Sequence, residues 1–390
     1  NPEGLEISYT LKCEEPVNNL SFNGILNKES EIIYVTENSH SGFLSRSRAF
    51  PDDILMNIVG PPLGKIALLD DSFQEYNMNQ AIVFFRANQN QVDKHYLLNY
   101  LYAYKTQTWL ERNSKKTSGQ QNLTIEACKN IPLLLPPLPE QTKIAEILST
   151  WDNAITTTEQ LLANSQQQKK ALMQQLLTGK KRLLDDNGQR FSGEWKIASF
   201  DNLFSKISNG LTYDTKKTDG LPVTRIETIS IGQIDFKKVG WAPNNDATKR
   251  FKLSKGDILY SHINSLEHIG RVAYFDDDRD LYHGMNLLLL RAKSSCCSKF
   301  MYYLLSSGIG KKYAKTYAKS AVNQASISTT DIKTFKVAMP VFSEQQKIAA
   351  VLTAADDEIR TLEQKLNHLK QEKKALMQQL LTGKRRVKVA

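Results

Sequence analysis

Residues 140–182 read EQTKIAEILSTWDNAITTTEQLLANSQQQKKALMQQLLTGKKR, and residues 344–386 read EQQKIAAVLTAADDEIRTLEQKLNHLKQEKKALMQQLLTGKRR. The two stretches are offset by 204 residues without a gap, and 26 of the 43 aligned positions are identical. Weaker matches continue upstream, where PDDIL at 51–55 aligns with KGDIL at 255–259. The chain is therefore a tandem repeat in which a variable region precedes a nearly invariant segment.

The repeated segment is predicted to be a long helix, because its apolar residues recur in alternating steps of three and four, as in a coiled-coil seam. Gly179 and Gly383 end the two copies, as is typical of helix C-termini. A helix of about 40 residues is ~60 Å long, which favours pairing of the two helices with each other. Antiparallel pairing would place the variable regions at opposite ends with pseudo-two-fold symmetry. The residues assigned to this pair and to partner binding are Glu140, Gln141, Ile144, Leu148, Ile155, Leu162, Leu172, Leu176, Glu344, Gln345, Ile348, Leu352, Ile359, Leu366, Leu376 and Leu380.

The variable regions are predicted to mix strands and helices, so the fold class is α+β. Short apolar runs at 31–35, 65–69, 81–85, 271–275 and 287–290 predict strands, and 95–110 and 299–319 have helical spacing. The expected domains are 1–139 and 184–343, each followed by a helical region, 140–183 and 344–390. The segment of about 184–204, with Trp195, has no clear counterpart ahead of the first variable region.

Composition indicates a folded, basic protein, with 390 residues and a net charge of +10. The four cysteines form no C-x-x-C pair, which excludes a disulfide framework and a zinc site of ordinary spacing. Apolar runs are too short to span a membrane and no leader is evident, so a cytoplasmic location is expected.

Catalytic motifs are missing from the sequence. Gly60–Ile66 is one residue short of a P-loop and lacks its hydroxyl, so it is interpreted as a loop after a strand. No glycine fingerprint for a dinucleotide or S-adenosylmethionine is present, and the histidines are scattered. The carboxylates at 52–53 and 276–278 are better explained by turns than by a nuclease site. We therefore predict no catalytic residue and no metal ligand.

Basic and amide residues occupy matching places in the two halves. Lysine and arginine reach phosphates or guanine edges, and asparagine and glutamine can bond adenine with both amide atoms, so this mixture suits DNA binding. A single charged run is usually only a solvated surface, and the recurrence in both halves favours the functional interpretation. The candidates are Arg46, Arg48, Arg112, Lys115, Lys116, Ser118, Gln120, Gln121, Asn122, His262, Asn264, Lys311, Lys312, Lys315, Lys319, Asn323 and Gln324.

The sequence PPLPEQTKIA at 136–145, repeated as PVFSEQQKIA at 340–349 and leading twice into a helix that ends LLTGK, resembles the specificity subunit of Type I restriction-modification enzymes. The resemblance implies two target-recognition domains, each reading half of a split, asymmetric DNA target, with the helices as a ruler that sets the spacer. It also implies docking of two modification subunits, which carry S-adenosylmethionine and methylate adenine. Restriction subunits would add ATP hydrolysis and Mg-dependent cleavage, while this chain is a non-catalytic subunit without a cofactor of its own.

Two alternatives remain at this point: a coiled-coil scaffold that binds only proteins, and an enzyme with an unrecognised site. The positive charge is concentrated in the second half, since the four expected regions carry −3, +2, +7 and +4 in chain order. We therefore expect weak, salt-sensitive DNA binding by the isolated chain, dominated by the second domain.

Overall fold

A computed structural model describes residues 8–11, 19–22, 24–27, 33–117, 119–216, 218–321 and 324–389. The chain divides into two compact units, the first formed by Asn1–Gln160 with Gln364–Ala390 and the second by Leu161–Glu363. Each unit thus combines one variable region with parts of both long helices. Among the described residues, no helix is long and apolar enough to cross a membrane.

In the described part of the first unit, the strands form three small sheets, and four short α-helices lie beside the long ones. Its strand orders are β3-β1-β8-β4, β2-β7-β5-β9 and β10-β11-β6. The elements are β1 (Ser8–Leu11), β2 (Gly24–Ile25), β3 (Ile33–Val35), α1 (Glu37–Ser41), β4 (Arg48–Ala49), β5 (Ile54–Asn57), β6 (Val59–Gly60), β7 (Ile66–Leu68), β8 (Tyr76–Met78), β9 (Ile82–Phe85), α2 (Lys94–Tyr102), α3 (Tyr104–Asn113), β10 (Lys115–Thr117), β11 (Gln120–Asn122), α4 (Ile125–Lys129) and the first part of α5 (Leu138–Leu176).

The second unit repeats this plan with additions. Its sheets have the orders β13-β19-β16-β18, β17-β21-β20, β12-β22 and β14-β15. The elements are β12 (Lys196–Ser199), α6 (Phe200–Leu203), β13 (Phe204–Asn209), β14 (Leu221–Thr224), β15 (Val239–Ala242), α7 (Asp246–Lys249), β16 (Ile258–Tyr260), β17 (Ile263–Asn264), β18 (Val272–Tyr274), β19 (Leu288–Ala292), α8 (Ser298–Ser306), α9 (Gly308–Tyr317), β20 (Lys319–Ala321), β21 (Gln324–Ser326), α10 (Thr329–Lys333), β22 (Lys336–Met339) and the first part of α11 (Phe342–Leu380).

Equivalent central strands form the core of each unit. All residues of β5 and β16 are buried, as expected of short apolar runs covered on both faces. The registers also agree, since Ile54 lies opposite Phe85 and Ile258 opposite Leu290. Each strand is preceded by a buried aspartate, and Asp53 binds Arg86 as Asp257 binds Arg291 through two hydrogen bonds. These two carboxylates therefore stabilise the fold by pairing with an arginine at the end of a neighbouring strand.

The predicted strands are confirmed, except that 31–32 lie outside the described residues. The two predicted helices each prove to be a pair, α2 with α3 and α8 with α9. The breaks lie at Ala103 and Ser307, whose ψ angles of 143° and 176° are extended. The Ser307 hydroxyl accepts a hydrogen bond from the Ile309 amide and so caps a new helix, which apolar periodicity could not reveal. Lys319 begins a strand, although its segment was predicted to be helical throughout.

The long helices α5 and α11 each span 39 residues and end as predicted. Gly179 and Gly383 both have φ of +70°, the left-handed conformation of a C-terminal cap. Within each unit the two helices run antiparallel, since Asp152 and Glu159 bind Lys373 and Lys370 in the first unit. In the second unit Lys169 binds Asp356, and Arg182 binds Glu344.

Candidate nucleic-acid interface

A β-hairpin in the first unit carries five of the predicted DNA-binding residues. Lys115 lies opposite Asn122, and Lys116 lies opposite Gln121. Directly opposite residues of antiparallel strands point to the same face, so one face of this ribbon carries Lys115 with the amides of Gln120 and Asn122, and the other carries Lys116 with Gln121. Lys115, Lys116 and Gln120 are exposed, whereas Gln121 and Asn122 are half-buried. The hairpin therefore presents a phosphate-binding charge beside a group that can bond a base edge.

The second unit forms an equivalent hairpin at the same offset of 204 residues. Lys319 lies opposite Ser326, and Ala321 lies opposite Gln324. The side chain of Lys319 is 78% exposed and lies 3.8 Å from Asp331, which leaves it accessible to a phosphate. Gln324 is also exposed. Ser118 and Asn323, two further predicted DNA-binding residues, lie outside the described residues.

A basic helix precedes the second hairpin. Lys311, Lys312 and Lys315 are exposed on α9, while its opposite side is packed. There Ala314 is fully buried and the Tyr313 ring stacks on Phe335 at a centroid distance of 5.1 Å. In the first unit the corresponding helix α3 exposes only Arg112 among the predicted cations. The two units thus have similar hairpins but differ in the number of predicted basic residues exposed on the helix that precedes each hairpin.

A third strand, which the sequence analysis did not predict in either unit, pairs with each hairpin. Gln121 lies opposite Gly60 of β6, and Asn264 of β17 lies opposite Ala325. The buried side chain of Asn57 holds the loop after β6, because its amide nitrogen donates to the Val59 and Pro62 carbonyls and its oxygen accepts from the Lys65 amide. The segment that resembles a P-loop is thus a loop after a strand, as predicted. Asn57, which lies just ahead of the rejected P-loop motif, was the signal in the sequence that could have indicated an ordered loop here.

The structure argues against a DNA contact by His262, which is only 5% exposed. Burial lowers the pKa of His262 to about 4, so the ring is neutral near pH 7. Asn264 is half-buried and its amide bonds Ser261 and the Ser265 amide. Arg48 is committed to Glu75 and to the His40 carbonyl, whereas Arg46 is exposed. Local sequence could not reveal this burial, since these residues sit in polar stretches.

Glu140 and Gln141 lie in the first turn of α5, and both are buried in the first unit. Glu140 accepts two hydrogen bonds from Arg386, at 2.7 and 2.6 Å, and one from the Val387 amide at 3.2 Å. The bonds from Arg386 hold the pKa of Glu140 below its ordinary value. The Gln141 oxygen accepts from the Asp93 amide, and its nitrogen donates to the Gln91 and Pro136 carbonyls. The two residues therefore fasten the end of α11 and the start of α2.

Glu344 and Gln345 make the equivalent contacts in the second unit. Arg182 donates to Glu344 at 2.6 and 2.7 Å, and Gln345 accepts from the Cys297 amide while donating to the Pro340 carbonyl. The structure gives both carboxylates specific arginine partners near the end of the other long helix, which a repeat in the sequence does not identify.

Lysines of the invariant KKALMQQ run provide a second equivalent contact. Lys373 binds Asp152 and lies 5.7 Å from the Tyr102 ring centroid, and Lys169 binds Asp356 with Tyr303 at 5.8 Å. Tyr303 also donates to Asp356 at 2.7 Å. The predicted apolar positions lie along the same face: Ile144, Leu148, Leu176, Ile348, Leu352 and Leu380 are buried, and Ile155, Leu162, Leu172, Ile359, Leu366 and Leu376 are half-buried.

Carboxylates and histidines do not form a metal site among the described residues, where no group of three or more His, Cys, Asp or Glu could hold an ion. Asp53 bonds the Phe50 amide and Asp277 bonds the Arg279 amide, which agrees with the turn interpretation.

Two α+β domains, each with a lysine- and amide-bearing hairpin, combined with two long antiparallel helices define the class of architecture. The family model for the Type I restriction modification DNA specificity domain matches residues 23–164 and 193–371. The chain therefore belongs to this family.

Curated relatives and solved structures agree with this assignment. The chain is 40% identical over 194 residues to the type I restriction enzyme MjaX specificity subunit of Methanocaldococcus jannaschii, covering 48% of this chain and 46% of that protein. It is 25% identical over 299 residues to the MjaVIII specificity subunit of the same organism, covering 74% and 70%. The first match thus spans about half of the relative's length.

The fold is shared with solved structures. The S subunit of the Type I restriction-modification system from M. genitalium matches with a TM-score of 0.58 and 16% identity, covering 97% of this chain and 93% of that chain. The HsdS subunit from Thermoanaerobacter tengcongensis matches with a TM-score of 0.50 and 16% identity, covering 97% and 91%.

Proposed function

We propose that this chain is the non-catalytic DNA sequence-specificity subunit of a Type I restriction-modification complex. The observation that carries this proposal is the recurrence of the same three-stranded hairpin sheet in both units, with Lys115 and Lys319 at equivalent positions. A two-stranded ribbon fits the major groove of B-DNA, where bases can be distinguished. Each domain would read one half of a bipartite, asymmetric target.

The proposal assigns separate roles to the polar groups. Exposed lysines of the hairpins and of α9 bind phosphates and set the register, and the amides of Gln120, Gln121 and Gln324 contact base edges. The helical pair sets the spacer between the half-sites and docks two modification subunits. Those subunits supply S-adenosylmethionine for adenine methylation, and restriction subunits supply ATP- and Mg-dependent cleavage. A protein that acts on cellular DNA in this way works in the cytoplasm.

The test is a selection of bound sequences from a random duplex library by the chain assembled with its modification subunits. The expected result is one motif of two half-sites with a constant spacer. Gln121→Ala should relax one half-site and Gln324→Ala the other, because each amide belongs to a different unit. Failure to enrich any motif would instead favour the alternative of a coiled-coil protein scaffold. A motif that neither substitution alters would refute the roles given to the hairpins.

A further inference from the structure

The turn that follows β17 places an apolar side chain beside the hairpin of the second unit. Asn264 lies opposite Ala325 in antiparallel strands, so the chain leaves β17 toward the level of Gln324. Leu266 comes two residues later and is 51% exposed. The second unit therefore carries an exposed leucine at the same end of its hairpin sheet as the amide of Gln324, which is proposed to contact a base edge.

Hydrogen bonds hold this turn in place. The Ser265 carbonyl accepts a hydrogen bond from the His268 amide at 2.9 Å, which closes a β-turn with Leu266 at its tip. The guanidinium of Arg271 donates to Nδ1 of His268 at 3.2 Å and also to the Ser230 carbonyl of a neighbouring segment. Leu266 is thus presented by a fixed turn, and a ligand that binds it orders few additional groups.

The corresponding connection of the first unit is shorter and keeps its leucine covered. Residues 61–65 connect β6 to β7, whereas residues 265–271 connect β17 to β18, so the second connection is two residues longer. The leucine of the shorter connection, Leu63, is only 9% exposed. The strands on both sides of the connection pair alike in the two units, so the difference is confined to the turn. Two domains that read different half-sites need such a difference beside a shared framework.

The chemistry of the turn favours contact with a base over contact with a phosphate. In the major groove thymine presents its C5-methyl group, and apolar side chains distinguish thymine through that group. Glu267, the next residue of the turn, is exposed and negatively charged, so it repels the phosphates of the DNA backbone. Lys319 of the same hairpin sheet is exposed and supplies a phosphate contact instead. The turn is therefore suited to the base edges.

We propose that Leu266 is a specificity-determining residue that contacts the methyl group of one thymine in the half-site read by the second unit. This inference rests on the proposed function, since it requires the hairpin of Lys319 and Gln324 to lie in the major groove. Gln324 and Leu266 then read the same half-site by different means. The amide forms hydrogen bonds to a base edge, and the leucine makes an apolar contact with a methyl group.

The test measures binding of the chain, assembled with its modification subunits, to the duplex motif that this assembly selects. Each thymine of the motif is replaced in turn by deoxyuridine, which removes only the methyl group. One replacement should weaken binding by the parent assembly about fourfold, as expected for one buried methyl group. The same replacement should weaken binding by Leu266→Ala less than about twofold, because the apolar partner is gone. Leu184→Ala is the matched control, since Leu184 is 50% exposed in the same unit, and it should keep the parent response.

The sensitive thymine should lie in the half-site that Gln324→Ala relaxes, and a sensitive thymine elsewhere would overturn the inference. A parent assembly that tolerates every replacement would also overturn it, as would a Leu266→Ala assembly that keeps the parent response. Sedimentation without DNA supplies one more outcome: weaker assembly of Leu266→Ala with the modification subunits would mean that the leucine packs against a protein, contrary to the inference. Failure of the proposed function is recognised separately, because the parent assembly would then select no motif.

Discussion

Replacement of Arg182 by alanine tests whether the ends of the long helices are fastened by buried charge. Glu344 is completely buried, and Arg182 gives it two hydrogen bonds of 2.6 and 2.7 Å. Arg182 also donates to the Gly193 carbonyl at 2.9 Å. The variant Arg182→Ala leaves an uncompensated carboxylate in a site closed to water. Breaking a buried pair in this way costs about 3–5 kcal/mol.

Urea unfolding measured by tryptophan fluorescence reports this loss, because Trp195 lies over Arg182. A cost of this size should lower the midpoint by about 1 M or more. The matched variant is Arg386→Ala, which removes the same ion pair in the first unit. Its loss should be clearly smaller, because Arg386 is 67% exposed and Glu140 keeps its bond from the Val387 amide. Replacing both Arg182 and Glu344 by leucine should recover part of the stability.

Two outcomes would refute this reasoning. An Arg182→Ala protein within about 0.5 kcal/mol of the parent would mean that Glu344 is not held in a dry site, since ordinary surface substitutions fall in that range. Equal losses for Arg182→Ala and Arg386→Ala would mean that the cover provided by Trp195 has no energetic effect.

Three further predictions concern DNA binding, pH and spacing. The pair K115A/K116A should weaken binding to all sequences similarly and reduce the slope of log K against log salt by about 2, and an unchanged slope would contradict phosphate contact. Because Arg386 lowers the pKa of Glu140 below 4.5, this pair stabilises the first unit above that pH and the contribution is lost as pH falls further; Glu140→Gln should therefore flatten the acid limb of the urea-midpoint profile, and parallel profiles would contradict it. Four residues inserted near Gln166, which add ~6 Å or about one helical turn, should change the spacer between half-sites in a genomic methylation map but leave the half-sites unaltered; an unchanged spacer would refute the ruler function.

The repeat and the apolar periodicity were sufficient to predict the long helices and most core strands. Their 3.5-residue period places Leu148 and Leu352 in buried seams, as observed. Periodicity failed at Ala103 and Ser307, because a single extended residue between two helices leaves the apolar spacing nearly unchanged. Periodicity also could not show that Lys169 and Lys373 bind aspartates. A sequence pattern does not distinguish a lysine that faces solvent from one that faces the other helix.

The hairpin residues were predictable by comparing the two halves, since Lys115 and Lys319 share a position that local propensity alone does not mark. The solvent accessibility of the candidate residues could not be predicted in this way. His262 and Asn264 follow a buried strand, and their burial depends on packing from β21 and neighbouring loops that are distant in sequence. The assignment of individual base contacts remains a prediction, because it depends on the path of DNA along the hairpins.

The discontinuous composition of the first unit has a consequence for synthesis on the ribosome. Glu140 emerges long before Arg386, yet the contact between them belongs to the same unit. Domains usually fold as they emerge, the N-terminal one first. Here the second unit, contained in Leu161–Glu363, can close while the first still lacks Gln364–Arg386. The first unit is thus begun before the second but completed after it, and premature termination directly after Glu363 removes residues of the first unit alone.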